Sequence, residues 1–522
     1  MLRVEPEAVA PLVKGQQLLR VLAVTDLHVD YDENMEWCYR LDNTAFKNDV
    51  LIVCGDVSDE MAALETALAT LKSKFGHVFY VPGNHELWIR ERDRDMGITD
   101  SHTKLRIILE RCSQLGVHTR PMQLGGLWIV PLLSWHHRSF DKEPDVPGVP
   151  PASAWTITDY SACRWPSSVP GGSADGSEQL AAYIDSMNDG PEWDALLASR
   201  EQCDVISFSH FLPNQALLPE KRYLYYPNLA KAVGSDFLAA RVAQLRPDLH
   251  MFGHTHFAWD ACLGGTRYIQ APLCSPLERR KRLFTVGFGA CMEEAEADPV
   301  AARWLPQQVY VGLAPPPAAA ENEGAAAGSE KQAQLQPGQQ QQPARAEWRP
   351  QPPQAAAAQQ LDGLEAASTE PQASSSNGSN GCGGSGQQPE AQADAAQQQQ
   401  RRQEEEDGGY DPMPAVARLQ LQIEMELAFG WQPLRHGAAV PSLLAHWSMY
   451  YEEHPRQPEM VTLAPWVARL YERRLHRRQR AAARVMRSTA GAEEEGSSGE
   501  AEGEPTALTS LSESDNESAI GF

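Results

Sequence analysis

Short apolar runs rich in β-branched residues recur through the first half of the chain: Leu18–Val24, Val50–Val53, Val78–Val81, Leu127–Leu133, Val205–Phe208 and Leu249–Phe252. Runs of this length, bounded by turn residues, read as buried strands rather than helices. Between them the apolar spacing changes to that of a helix. Leu64, Leu68 and Leu71 share one face, and Leu105, Ile108, Leu109, Cys112 and Leu115 form a single stripe. Strands alternating with amphipathic helices predict an α/β unit with a real core, spanning roughly residues 18–312.

Polar motifs interrupt this pattern, most of them directly at the ends of expected strands. They are Thr25-Asp26-Leu27-His28, Gly55-Asp56-Val57-Ser58-Asp59, Gly83-Asn84-His85-Glu86, Ser209-His210 and Gly253-His254-Thr255-His256. Ligands bind at the carboxyl ends of strands in open α/β sheets, so the placement gathers the motifs on one edge. Aspartate and histidine suit Zn²⁺, Mn²⁺ or iron, and one carboxylate can bridge two cations. Two ions about 3.5–4 Å apart can clamp a phosphoryl group and generate hydroxide near neutral pH. The glycines before Asp56, Asn84 and His254 fit tight turns where backbone approaches an ion.

The ordered set D-x-H, G-D-x-x-D, G-N-H-E, a lone His and G-H-x-H resembles the calcineurin-like metallophosphoesterase superfamily over residues 18–275. The resemblance implies an α/β fold, a four-layer αββα sandwich. It implies that Asp26, His28 and His256 hold one divalent metal ion, that Asn84, His210 and His254 hold a second, and that Asp56 bridges them. The ions would be Mn, Zn or Fe. It further implies that His85 contacts the phosphate and acts as general acid, oriented by Asp59. The alternative reading of Asp59 is a cap for the helix starting near Glu60. The expected reaction is hydrolysis of a phosphomonoester or phosphodiester, by in-line attack of a metal-bound hydroxide with His85 protonating the departing oxygen. Asp59 is followed by Glu60 and Met61, where protein Ser/Thr phosphatases carry Arg-Gly, which disfavours protein dephosphorylation. The stretch around His210 and His254 is similar to plant, algal and bacterial members of the superfamily. The competing reading is a non-catalytic scaffold on the same fold, but every ligand and the acid are in place.

Other residues carry weaker signals. His136 and His137 follow an apolar run and either line the pocket or have no role there, and Trp88 is either core or a substrate platform. Lys221, Arg222, Tyr225 and Tyr226 follow His210 in a loop where a phosphate contact is conceivable. Arg279-Arg280-Lys281-Arg282 reads as a solvated cluster, and Glu86 as structural. The loop from Asp141 to Asp185 is expected to form part of the pocket wall and to set specificity.

Composition divides the rest of the chain. The boundaries read as a catalytic domain over 1–313, a disordered Gln/Ala/Pro/Gly-rich linker over 314–409, a helical segment over 410–487 and a disordered acidic tail over 488–522. The 410–487 segment is small for a core of its own, so it is expected to pack back on the catalytic domain, a separate helical module being the alternative. The net charge of −24 argues against nucleic acid as a general partner. No run is long enough to span a membrane. The phosphoester substrate is the expected partner, with protein partners for the linker and tail. Nine scattered cysteines without a CxxC pair fit free thiols, and a cytoplasmic location, or a nuclear one, is the expectation.

Overall fold

The structure, a computed structural model, describes residues 17–147, 157–281, 305–314, 430–443 and 445–473. The expected linker beyond Ala314, residues 410–429 and 474–487 of the expected helical segment, and the acidic tail lie outside the described residues.

Two six-stranded mixed sheets face each other. The first has the order β11-β12-β10-β1-β2-β3, with β1 (Leu18–Val24), β2 (Val50–Val53) and β3 (His77–Tyr80) parallel. Its other strands are β10 (Gln307–Leu313), β11 (Gln432–Pro433) and β12 (Gly437–Ala439). The second has the order β4-β5-β6-β7-β9-β8, in which β5 (Leu127–Pro131), β6 (Asp204–Phe208), β7 (Leu249–Met251) and β9 (Thr266–Gln270) are parallel. The antiparallel edge strands are β4 (Met122–Leu124) and β8 (Trp259–Leu263). All the strands expected from the apolar runs form.

Those runs lack polar alternation because each strand is buried on both faces. Successive side chains point to opposite sides. Val21, Ala23, Val50, Ile52 and Phe79 therefore meet Ile129, Ile206, Phe208 and Ile269 in the core between the sheets. Leu22, Val24, Leu51, Val53 and Tyr80 point outward, under α1 (Asp32–Arg40), α2 (Met61–Lys74) and α3 (Ser101–Leu115). In α3 the stripe Leu105, Ile108 and Cys112 is buried, Asp100 caps the start through Thr103 N–H, and Gly116 ends it at φ 70°. On the far side Val130, Val205 and Tyr268 pack beneath α4 (Pro191–Ser199), α5 (Asp236–Leu245) and α6 (His446–Glu453). The layering is the four-layer αββα sandwich.

Residues after 430 enter this fold directly. Tyr310, Val311 and Gly312 of β10 pair with β12. Trp431, Ala438, Val440 and Ala445 lie in the core between the sheets. Ser448 accepts the Asp260 N–H at 2.7 Å, and Arg267, paired with Asp260, donates to the carbonyl oxygens of Val440 and Pro441.

The sheets join at the carboxyl ends of their parallel strands. Thr25 N–H donates to Ala271 O, and Leu273 N–H and Cys274 N–H return to Thr25 O and Asp26 O, at 3.1, 2.8 and 2.8 Å. Every polar motif of the sequence leaves its strand at this seam.

Candidate metal centre

The β1–β2 ladder runs on past the last regular residues, with Asp26 N–H donating to Gly55 O at 3.2 Å and His28 N–H to Asp56 O at 2.8 Å. The conformation changes there. Among the described residues, Asp26, His28, Asp56, His254 and His256 have φ of 53°, 43°, 49°, 73° and 57°. Non-glycine residues rarely adopt the left-handed region, and each costs on the order of 1 kcal/mol or more. The only other non-glycine residues described with such φ are Arg246 and Cys274. The strain is concentrated on the residues that the sequence marks as ligands.

Their side chains converge in two groups that share Asp56. Asp26, His28, Asp56 and His256 bring their ligand atoms within 4.8 Å of one another, and so do Asp56, His210 and His254. Asn84 joins the second group, its Oδ1 lying 3.0 Å from His210 Nε2 and 2.9 Å from His254 Nδ1. Outer hydrogen bonds select which nitrogen faces inward. His210 Nδ1–H donates to Cys54 O at 2.8 Å, His254 Nε2–H to Ala232 O at 3.0 Å, and His256 Nδ1–H to Glu278 at 3.2 Å. Each bond leaves the inward nitrogen free to ligate, the usual support for metal-bound histidine. Gly83 is required for the approach, since a Cβ there would meet Asp56 Oδ1 at 2.1 Å and His210 Cε1 at 2.7 Å.

Charge in the cluster calls for cations. Burial opposes protonation of His28, but Asp30 beside Nδ1 and the charges of Asp56 and Asp26 raise it to about 10. Burial likewise opposes protonation of His210, which Asp56 raises to about 9. Asp56 resists burial and stays well below the ordinary carboxylate range because His210, His85 and His28 surround it. Burial and the neighbouring His210 push His254 down to about 3. A dense set of carboxylates and inward imidazole lone pairs holds a proton or a metal ion, and the residues fit divalent metal.

Glu86 ties the motifs together. Its carboxylate accepts from Asp56 N, Val57 N and Gly83 N at 3.1, 2.6 and 2.8 Å. Burial and the charge of Asp56 push it up to about 7.

His85 stands at the rim, its side chain 12% exposed and Nε2 3.9 Å from Asp56 Oδ2. Trp88 lies against it with ring centroids 3.7 Å apart and is itself buried, which makes it a backing for His85 rather than an open platform. Asp59 pairs with Arg90 at 2.6 Å, and the carboxylate gathered with His28 and His85 is Asp30. His136 donates to Asp159 at 3.0 Å, and His137 Nε2 accepts Asp236 N–H at the start of α5. Lys221 is held by Asp141 and Asp145, both at 2.8 Å, and Arg222 by Glu220. Arg279 binds Asn34 Oδ1 at 2.7 Å and Cys274 O at 2.6 Å, on the seam itself.

Asp30, Asp159 and Glu278 were not legible as site residues, because no motif or strand end marks them. Asp159 lies in the expected wall loop, on the helical turn Thr158–Ala162. His136 and its partners hold this buried carboxyl at about 2 against the opposing effect of burial.

The family model of the calcineurin-like phosphoesterases matches residues 19–258. These residues are a calcineurin-like phosphoesterase domain. The chain is accordingly a metal-dependent phosphoesterase. It is 27% identical over 273 residues to the acyl-carrier-protein phosphodiesterase PptH of Mycobacterium tuberculosis, covering 50% of this chain and 79% of that protein. It is also similar to the crystal structure of the phosphopantetheinyl hydrolase PptH from the same organism, at 23% identity and a TM-score of 0.41, covering 51% of this chain and 93% of that one. No helix among the described residues is long and apolar enough to cross a membrane.

Proposed function

We propose that this phosphoesterase is a dinuclear-metal enzyme that prefers phosphodiesters, with Asp26, His28 and His256 holding one ion, Asn84, His210 and His254 the other, and Asp56 between them. The observation that carries this reading is the sharing of Asp56 by two convergent ligand groups. The donors are oxygen and imidazole nitrogen, which suits Mn, Zn or Fe. Bound there, the ions would supply a nucleophile at neutral pH and offset charge on the phosphoryl oxygens.

The chain's own residues do the rest. His85, at the rim and backed by Trp88, donates a proton to the departing oxygen. Asp30 is placed to favour the charged form of His85. Asp59 acts on His85 at one remove, because the Arg90 it pairs with lies 4.7 Å over the Trp88 ring. The preference for diesters is supported by the relative that is itself a phosphodiesterase.

The test pairs metal analysis of the purified protein with hydrolysis of bis-p-nitrophenyl phosphate and p-nitrophenyl phosphate under Mn²⁺, Zn²⁺ and Mg²⁺. Two ions per chain and faster turnover of the diester are expected. One ion per chain would remove the dinuclear reading, and faster turnover of the monoester would remove the diester preference.

A further inference from the structure

The amide of Asn84 is symmetric in shape, and only one of its two orientations offers oxygen to His210 and His254. What selects that orientation lies on the other side of the amide. Asn84 Nδ2 donates to Asp159 Oδ1 at 2.9 Å. A carboxylate only accepts, so it takes the NH₂ end and turns Oδ1 toward the two histidines. The same Asp159 Oδ1 accepts Trp88 Nε1–H at 2.7 Å, and Trp88 lies against His85. Oδ2 accepts from His136 Nε2–H at 3.0 Å.

The carboxylate is 2% exposed and His136 is fully buried, so water does not compete for these bonds. The turn that carries Asp159 is fastened at its C-terminal end by two backbone bonds. Ile89 N–H donates to Ala162 O at 2.9 Å and Ser101 N–H to Arg164 O at 2.7 Å. Among the described residues of the wall loop, Asp159 is the one that bonds to Asn84.

We propose that Asp159 is a positioning residue of this enzyme: it fixes Asn84 as an oxygen ligand of the second ion and holds Trp88 against His85. The proposal rests on the two-ion reading above. Without the carboxylate, the Asn84 amide is free to rotate and present NH₂ to His210 and His254, which cannot ligate. The first ion, held by Asp26, His28 and His256, does not depend on it.

Stepwise Mn²⁺ binding to the full chain tests this by calorimetry, comparing wild type with Asp159→Leu and Asp159→Asn. In wild type two Mn²⁺ ions bind. In Asp159→Leu the first step is unchanged and the second weakens by about 10–100-fold, the usual effect of losing an outer partner of a metal ligand. Asp159→Asn restores most of the second step, because its carboxamide oxygen still accepts from Asn84 and Trp88 while its NH₂ donates to His136 Nε2, the imidazole carrying its proton on Nδ1 instead. Two unchanged steps in Asp159→Leu overturn the proposal, whereas a single step in wild type overturns the two-ion reading instead. Asp159→Ala replaces the leucine variant if that chain does not fold. Failure of both to fold would make the carboxylate a structural one and also overturn the proposal.

Discussion

The Nε2 atoms of His28 and His256 lie 3.0 Å apart, in rings inclined at 65°, with Asp26 Oδ1 3.6 Å from His256 Nε2. Because Glu278 takes the Nδ1 proton of His256, that ring turns a lone pair toward His28. That lone pair is satisfied by a proton on His28 Nε2 or by a metal ion held between the rings. Metal binding is therefore coupled to folding. A ligand at one hundred times its dissociation constant adds about 2.7 kcal/mol. Thermal unfolding should show a lower Tm after chelation, restored by Mn²⁺, and a smaller metal-dependent shift in His256→Phe.

Asp56→Asn should lose both ions together. Asp56 Oδ1 accepts His85 N–H at 3.1 Å, and Oδ2 lies 3.3 Å from His210 Nε2, so the carboxylate is committed on both sides. Replacing one oxygen with NH₂ directs donors at ligating nitrogens. Metal analysis and phosphodiester turnover should fall in parallel, and retention of one full equivalent would argue against a bridging role.

His85→Ala should separate acid catalysis from metal binding. The side chain sits at the rim of the cluster, and its inward neighbours are held by other bonds. Turnover should drop by about 10²–10⁴-fold with metal content unchanged. Loss of metal in this variant would contradict the assignment of His85 as the acid.

The sequence and the structure agree where local chemistry is self-contained. The β1, β2, β5, β6 and β7 runs are continuous because both faces are buried, and the ligand motifs follow strand ends because the backbone turns there. Strands β4 and β8–β12 were not legible as strands. Strands β4, β8 and β11 lie at sheet edges, β9 is internal but carries Thr266, Arg267 and Gln270, and β10 and β12 pair across a long stretch of chain. Their pairing is set by tertiary contacts, with little local pattern. The same reason hides Asp159, whose partners Asn84, Trp88 and His136 come from distant segments. The left-handed φ at Asp26, His28 and Asp56 is likewise not legible, because Asp and His enter that region more often than most residues but still mostly adopt negative φ.

His250 predicts an acid-sensitive component of stability that lies apart from the metal ligands. Its ring is fully buried between two serines. Ser207 Oγ–H donates to Nδ1 at 2.8 Å, and Nε2–H donates to Ser209 Oγ at 3.0 Å, whose own proton goes to Phe211 O. Burial lowers the group from 6.5 to about 3. The unfolded chain therefore binds one more proton than the folded one between these values. Stability is present in full above pH 6.5 and is lost as pH falls toward about 3. The slope from this group reaches about 1.4 kcal/mol per pH unit. Denaturant unfolding from pH 7 to pH 4 should show a steeper decline in wild type than in His250→Gln, and equal slopes would remove His250 as the cause.

Trp431 decides how the residues after 430 relate to the phosphoesterase domain. Its side chain is 1% exposed and packs in the core between the sheets, in the same cluster as Val21, Ile129 and Tyr310. A buried tryptophan cut to alanine costs about 3–5 kcal/mol through lost transfer energy and the cavity left behind. If these residues complete the sandwich, Trp431→Ala lowers the midpoint of a single cooperative transition that also reports on Trp128 and Trp259 of the second sheet. If they were a separate helical module, a second transition would shift while the main one stayed in place. Unfolding followed at once by far-ultraviolet circular dichroism and by phosphoesterase activity distinguishes the two, and the coincident loss of both signals at lower denaturant is the expected result.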